Sequence, residues 1–189
     1  MFKFEIDDEI TLKLLEESEA KTLFRLTDRS REELRRWLGW VDGTRTVKDS
    51  LTYIQLTLDA YHAMRALSAG IYYKGKLAGV VGFNMLDWQN RNGQIGYWLA
   101  TEFVGRGIMT RAVSGLLDYG FYELDLHRIE IRAAVENERS RAIPERLGFK
   151  QEGIIREAEW LYDHFVDHAV YGMLRREWGE KSIHYWTGG

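Results

Sequence analysis

The stretch from Gly96 to Thr110, GYWLATEFVGRGIMT, limits what this chain can fold into more than any other. Apolar Ile95, Tyr97 and Leu99 alternate with Gly96, Trp98 and Ala100, which is the period of a strand. A short charged turn follows, and Gly105-Arg106-Gly107 stands directly ahead of a helical pattern. Met109, Ala112, Val113, Leu116, Leu117, Gly120, Phe121 and Leu124 recur at helical spacing, with Arg111, Ser114, Asp118 and Glu123 between them. A strand that runs through a glycine loop into a helix builds an anion site. The first helical N–H groups lack partners within the helix, the dipole there is positive, and glycine lets the backbone approach a phosphate. Thr110 adds a hydroxyl in the first turn and Arg106 a charge. The loop has no Lys-Ser/Thr after its second glycine, so it is not a P-loop, and it carries only two of the three Rossmann glycines.

The rest of the chain supplies the setting. Its 189 residues suit one domain with a sizeable core, expected over 1–178 with a tail over 179–189. A net charge of −3 gives no footing for nucleic acid or an anionic membrane. Cysteine is absent, which excludes disulfides, thiolate metal sites and a cysteine acyl-enzyme. The acidic start MFKFEIDDEI has no apolar core of a signal peptide, and no apolar run reaches the length of a membrane span. The expected location is the cytoplasm.

Taken in order, Phe2–Ile6 and Ile10–Leu15 read as extended. Ser18 and Ser30 are candidate N-caps for helices over about 19–28 and 31–38, Ser30 with Glu33 at capping-box spacing. Between Arg35 and Trp40, two tryptophans stand beside two arginines. Trp37 reads as core, and Trp40 as either core or the wall of a groove. Thr46 caps a longer helix with Val47, Leu51, Ile54, Leu58 and Tyr61 on one stripe. Strands over Ala69–Tyr73 and Lys76–Met85 join at Lys74-Gly75, a hairpin signal. Asp87–Gly93 is a polar turn. Arg128–Val135 alternates as a strand, Asn137–Leu147 reads as a helix, Phe149–Trp160 and Asp167–Leu174 are extended, and Glu177–Gly189 is a polar tail tipped with aromatics. Ile183-His184-Tyr185-Trp186 in that tail is a candidate homodimer contact. The pattern is a mixed α/β (α+β) domain around one largely antiparallel sheet of about 6–7 strands, with the unit from Gly93 to Val135 as a parallel, right-handed crossover.

Glu102-Phe-Val-Gly105-Arg-Gly107 after a strand, and Asn137-Glu-Arg-Ser140 running on to Leu147-Gly148-Phe149, resemble the GNAT superfamily of acyl-CoA N-acyltransferases. Glu102 stands where that superfamily more often has Gln or Arg. Gly96-Tyr97-Trp98-Leu99, Arg139-Ser140-Arg141, Glu152-Gly153, Arg156-Glu157 and Asp167 are similar to the branch of ribosomal-protein N-terminal acetyltransferases. The resemblance covers nearly the whole chain. It implies a three-layer GNAT-type fold, acetyl-CoA as cosubstrate and no metal. Cosubstrate contacts would run over Trp98, Leu99 and Ala100, through Val104, Gly105, Arg106, Gly107, Ile108, Met109 and Thr110, to Asn137, Arg139 and Ser140. A backbone N–H at a strand bulge around Trp98–Ala100 would face the thioester oxygen as it gains charge.

The same resemblance assigns the chemistry. Many superfamily members keep a tyrosine acid four positions before the Gly-Phe glycine; here that position is Pro144, the only proline. In the branch, a serine at the position of Ser140 is the acid for the departing thiolate, and Glu159 has the spacing of the general base. Read from the residues alone, Ser140 is equally a first-turn cap, Asn137 a plain N-cap, and Glu159 a solvent-facing strand acid. Ala158 and Trp160 can partly desolvate Glu159, and Glu157 would share its face. Pro144 has no N–H for the Ser140 carbonyl, which opens the helix locally. An α-amine of pKa ~7.8 is about a tenth neutral at pH 7, whereas a lysine at ~10.4 is ~2.6 units worse, about 3.5 kcal/mol, so the former needs only a modest base.

Trp40, Asp87 and Trp160 are the candidates for the acceptor site. Arg139, Arg141 and Arg146 can meet the CoA 3′-phosphate, the last two reading more as a solvated face. His164 and His168 lack a third ligand for a metal. The expected reaction is direct acetyl transfer to a primary amine, most naturally a protein N-terminus such as that of a ribosomal protein. A small amine (polyamine, aminoglycoside or amino-acid derivative) is the alternative acceptor, and a non-catalytic acyl-CoA-binding module the alternative function.

Overall fold

The computed structural model describes residues 1–186, with side chains through Glu180. Strands β1 (Lys3–Glu5) and β2 (Ile10–Leu14) lead into helices α1 (Ala20–Arg29), α2 (Arg31–Arg35) and α3 (Val47–His62). Strands β3 (Leu67–Tyr73), β4 (Lys76–Asp87) and β5 (Asn92–Leu99) follow, then helix α4 (Ile108–Asp118), which runs on into a π-helical turn at Tyr119–Glu123. Strand β6 (Arg128–Ala134), helix α5 (Glu138–Arg146), strands β7 (Lys150–Leu161) and β8 (His164–Leu174) and helix α6 (Arg175–Trp186) complete the chain.

One sheet holds all eight strands in the order β1-β2-β3-β4-β5-β6-β8-β7, one or two more than the 6–7 expected. Among the described strands only β5 and β6 pair in parallel, across α4, as expected for the unit from Gly93 to Val135. Central strand β4 is buried without a break from Leu77 to Phe83, so both sheet faces are covered. Helices α1 and α3 pack together against β3 and β4, while α4 packs on β2, β4 and β5 and against α5. The core joins Leu12, Ile71, Phe83 and Ile95 of the sheet to Ile54 of α3 and to Ala112, Leu116 and Phe121 of the central crossover.

Local chemistry explains most element boundaries. Thr46 caps α3 in a reciprocal box with Asp49. Lys74 and Gly75 both take positive φ (49° and 79°), as a two-residue hairpin with the right twist requires. Ser18 lies inside a 3-10 turn and caps nothing, because Glu16 and Glu19 make that box. Ser30 does not cap α2; its Oγ instead accepts the Thr101 N–H at 3.0 Å. Helix α2 ends at Arg35, short of the expected residue 38. The expected tail from Glu177 is helical to Trp186; Glu177 accepts the Leu174 N–H, and Trp178 is buried with its indole N–H on Asp118 at 2.8 Å. The dimer contact expected of Ile183–Trp186 lies outside the residues whose side chains are described.

The sheet opens between β5 and β6. β5 and β6 pair only over Asn92–Ile95 and Arg128–Ile131. Beyond that point β5 stays with β4 to Leu99, and β6 stays with β8 to Ala134. The two strands therefore part between Gly96 and Leu99 on one side and Arg132 and Ala134 on the other.

Candidate active site

Two cavities meet in this opening. The first, about 920 Å³, is lined by Val104, Gly105, Gly107, Ile108, Met109 and Thr110 together with Asn137, Arg139 and Ser140 of the facing helix start. The second, about 520 Å³, lies on the other side and is lined by Trp40, Asn84, Gln94, Arg132, Glu159 and His168 among others. Trp37, Leu38, Tyr97, Trp98, Asn137 and Ser140 line both. The cleft is thus continuous, with Ser140 at its waist.

The glycine loop is shaped as an anion cradle. Gly107 is the N-cap of α4 in the left-handed conformation (φ 69°), and Gly105 has φ 79°. A Cβ on either would meet nothing within 4 Å, so conformation and open space, not crowding, call for glycine here. Helix α4 begins bonding with the Arg111 N–H on the Gly107 carbonyl at 3.2 Å, which leaves the amides of its first turn facing the cavity. Arg111 also straps the loop from below. Its guanidinium reaches the carbonyls of Arg106 and Gly107 (both 3.4 Å) and is anchored by Asp7 at 2.9 Å. For the Asp7 carboxyl, burial pushes upward, but the Glu9 and Ile10 amides and the Arg111 guanidinium together bring its pKa below the usual carboxylate range.

The Ser140 end is held with equal care. Asn137 caps α5 by accepting the Ser140 N–H at 3.3 Å. The Tyr97 hydroxyl donates to the Ser140 carbonyl at 2.8 Å and accepts from Ser140 Oγ at 3.4 Å. Burial pushes the Tyr97 pKa up, so the phenol stays a proton donor.

Glu159 reaches the second cavity because β7 is irregular. Ile155 pairs with His168 and Glu159 with Val166, so three residues of β7 oppose Asp167 alone. Glu157 sits at φ 47° in this bulge, and its N–H is fixed by Asp167 Oδ1 at 2.7 Å. Glu159 Oε1 then lies 3.2 Å from His168 Nε2, its diagonal neighbour across the hairpin. Tyr162 at the hairpin tip donates to the Leu38 carbonyl at 2.6 Å, which holds the Trp37–Trp40 segment over the cleft.

Several expected positions are placed elsewhere. No bulge interrupts β5 around Trp98–Ala100; the irregularity is on β4 at Asn84, between Phe83 and Met85. What frees main-chain groups on β5 is instead the departure of β6. Ala100 pairs with Ala78 through its N–H, so by the alternation of antiparallel ladders Tyr97 and Leu99 turn theirs away from β4, toward the opening. Ala100 is buried and lines neither cavity, and the Arg106 side chain leans over the Tyr73 and Phe103 rings instead. Glu157 does not share a face with Glu159, since the bulge intervenes. Trp160 is turned away from Glu159 and is about half exposed, edge-on to Phe165 at 4.8 Å. It therefore does not desolvate that acid. Asp87 caps a turn through Asn90, whose two bonds hold its carboxyl below the usual range, and lines neither cavity.

Trp37 is not core but cleft wall. Trp40 faces Trp98 at 5.8 Å across the second cavity. Arg139 and Arg146 line the first cavity, whereas Arg141 is spent on Tyr171 and the Val135 carbonyl (both 2.8 Å). Tyr97, Arg111, Arg132 and His168 also line the cleft, a place to which the sequence pattern did not assign them. The proline four residues after Ser140 was the available signal for the first, because an orphaned carbonyl requires a donor.

The family model of the GNAT acetyltransferase domain matches residues 9–150. The chain belongs to the GNAT family. YdaF of Bacillus subtilis (strain 168), which carries a provisional name as a ribosomal N-acetyltransferase, is 38% identical over 96% of this chain and all of its own length. The structure of RimL, a ribosomal L7/L12 α-N-protein acetyltransferase, in complex with coenzyme A superposes with TM-score 0.89 at 25% identity, covering 92% of this chain and 98% of that one. The microcin C7 self-immunity acetyltransferase MccE, in complex with acetyl-CoA and AMP, gives 0.86 at 32%, covering 89% and 94%. This GNAT protein is an acetyl-CoA-dependent N-acetyltransferase of the ribosomal N-acetyltransferase-like branch, and acetyl-CoA is its cosubstrate. The first cavity fits that cosubstrate: it offers unpaired helix-start amides, two open glycines and the cations Arg139 and Arg146 to a pyrophosphate-bearing thioester.

Proposed function

We propose that this enzyme acetylates the N-terminal α-amine of a protein, a ribosomal protein by analogy with RimL and YdaF, by direct attack within a ternary complex. The observation that carries the acceptor assignment is the charge of the second cavity. Glu159 is the one carboxylate among its lining residues, and the Arg132 in the same wall is already paired with Glu130 at 2.5 Å. A polycation would find a single anionic partner there. A lone α-ammonium on an otherwise neutral chain is suited to it, and it needs only a modest base.

Acetyl-CoA supplies an acetyl group already activated as a thioester. In the proposed mechanism the first-turn amides of α4 hold its pyrophosphate, and Asn137 and Arg139 flank the arm reaching toward the waist. The Tyr97 and Leu99 amides face the carbonyl oxygen as it gains charge. Glu159, steadied by His168, takes the proton that the incoming ammonium must lose. As the amine nitrogen bonds to the acetyl carbon and the carbon–sulfur bond breaks, Ser140 gives its hydroxyl proton to the departing sulfur and is reprotonated by the second proton that the nitrogen sheds. The chain has no cysteine to carry the acetyl group as a thioester intermediate of its own.

A second reading rests on the aromatic wall of Trp37, Trp40 and Trp98, which suits a small amine bearing a planar ring, in keeping with the AMP bound to MccE. One experiment separates the acceptors. Purified enzyme and acetyl-CoA are given a pool containing a peptide with a free α-amine and an internal lysine, spermidine and an aminoacyl-adenylate analogue. The acetylated atom is then located by mass spectrometry. Acetylation of the peptide α-amine supports the main reading; acetylation of spermidine or the analogue with the peptide untouched would overturn it.

A further inference from the structure

Pro144 stands four residues after Ser140, so the amide with which a helix closes on the Ser140 carbonyl does not exist. Helix α5 nonetheless continues to Arg146, and Pro144 itself is buried within it. The carbonyl is satisfied from another element. Tyr97, on strand β5, gives it a hydroxyl proton at 2.8 Å, and the Tyr97 phenol oxygen in turn accepts the Ser140 Oγ proton at 3.4 Å. Asn137 takes the Ser140 N–H. All three polar groups of Ser140 are thereby engaged, two of them by one phenol. That phenol sits where the strands part and lines both halves of the cleft.

We propose that Tyr97 is a positioning residue whose hydroxyl replaces the N–H that Pro144 lacks and so fixes Ser140 at the waist of the cleft. Tyr97 and Pro144 then form a coupled pair. The proline removes the helix's own donor, and the tyrosine ties the opened turn to the strand whose amides face the thioester. The serine that moves the proton and the amides that meet the oxygen are thus locked in one frame, although they belong to different elements. This rests on the reading of Ser140 as proton donor.

The test is the substitution Y97F made in the natural chain and again in the P144A background, where residue 144 regains an N–H able to close on Ser140. In the natural chain Y97F should lower kcat about tenfold or more, the cost of leaving a part-buried acceptor unpaired and a hydroxyl unaimed. The Kd for acetyl-CoA, which also reports folding, should stay within about twofold. In the P144A background the same substitution should cost less than about threefold, a coupling that only a shared hydrogen-bonding role produces. Equal losses in both backgrounds would show that Tyr97 acts on the reacting groups or by packing alone and overturn the proposal, as would an unchanged kcat in the natural chain. Amide exchange over residues 141–146 gives an independent readout, accelerated by Y97F and restored by P144A. S140A separates the two readings. An unchanged kcat in S140A removes the proton-donor role, and the exchange measurement still decides whether Tyr97 holds the helix.

Discussion

The two halves of the cleft are built on opposite principles. The half proposed to hold the cosubstrate is main chain: Gly105, Gly107 and the amides of one helix start, contiguous in sequence and held from beneath by Arg111. The half proposed for the acceptor is side chain: Trp40, Asn84, Tyr97, Arg132, Glu159 and His168 converge from elements spread over most of the chain. A main-chain cradle recognises a group that every acyl-CoA carries. Its shape depends on backbone angles that few residues can adopt, so it tolerates little change. A side-chain cavity can be retailored one residue at a time without disturbing the sheet.

The largest effect expected from breaking this contrast lies in the loop. G107E places a side chain at φ 69°, about 1–2 kcal/mol of backbone strain, and a negative charge in the anion cradle. Acetyl-CoA affinity measured by calorimetry should fall at least about 100-fold. Next comes the bulge that aims Glu159. D167A removes the acceptor of the Glu157 N–H and should lower kcat about tenfold with acetyl-CoA affinity unchanged, while D167N, which keeps a carbonyl oxygen, should recover most of the loss. A smaller effect joins the halves. S30A leaves the Thr101 N–H unpaired just ahead of the glycine loop and should cost about 1 kcal/mol, a fall of roughly 2–4 °C in Tm.

The smallest effect is electrostatic. The Asp7 pKa is lower in the folded protein than in the unfolded chain, so the contribution of Asp7 is present above its ordinary pKa and is lost as pH falls through the depressed folded value. D7N should remove that acid-dependent part of stability, under about 1 kcal/mol because the Asp7–Arg111 pair is a third exposed, and leave the neutral-pH fold intact.

The same division decided what could be read in advance. The glycine loop, the Lys74-Gly75 hairpin, the Thr46 cap and the parallel crossover are local patterns, and each stands where its residues imply. The acceptor half depends on pairings that no local window contains. Ser30 has the residue type and spacing of a cap, yet a partner 71 residues away takes its hydroxyl. Strict alternation would set Glu157 and Glu159 on one face, but the bulge opposite Asp167 resets the register. Trp37 has the apolarity of a core residue and stands at a cleft that exists only because β6 leaves β5. The Glu159–His168 pair becomes legible only once the hairpin turn is fixed at Tyr162-Asp163, after which the two residues fall diagonally across one face.

The division of labour is tested most directly by E159Q, with acetyl-CoA affinity from calorimetry and single-turnover transfer to an α-amino peptide measured on the same preparation. With main chain holding the cosubstrate and Glu159 serving the amine, affinity should stay within about twofold of the parent while transfer slows by a factor on the order of 10²–10⁴. Transfer at the parental rate, or affinity and transfer falling together, would contradict it.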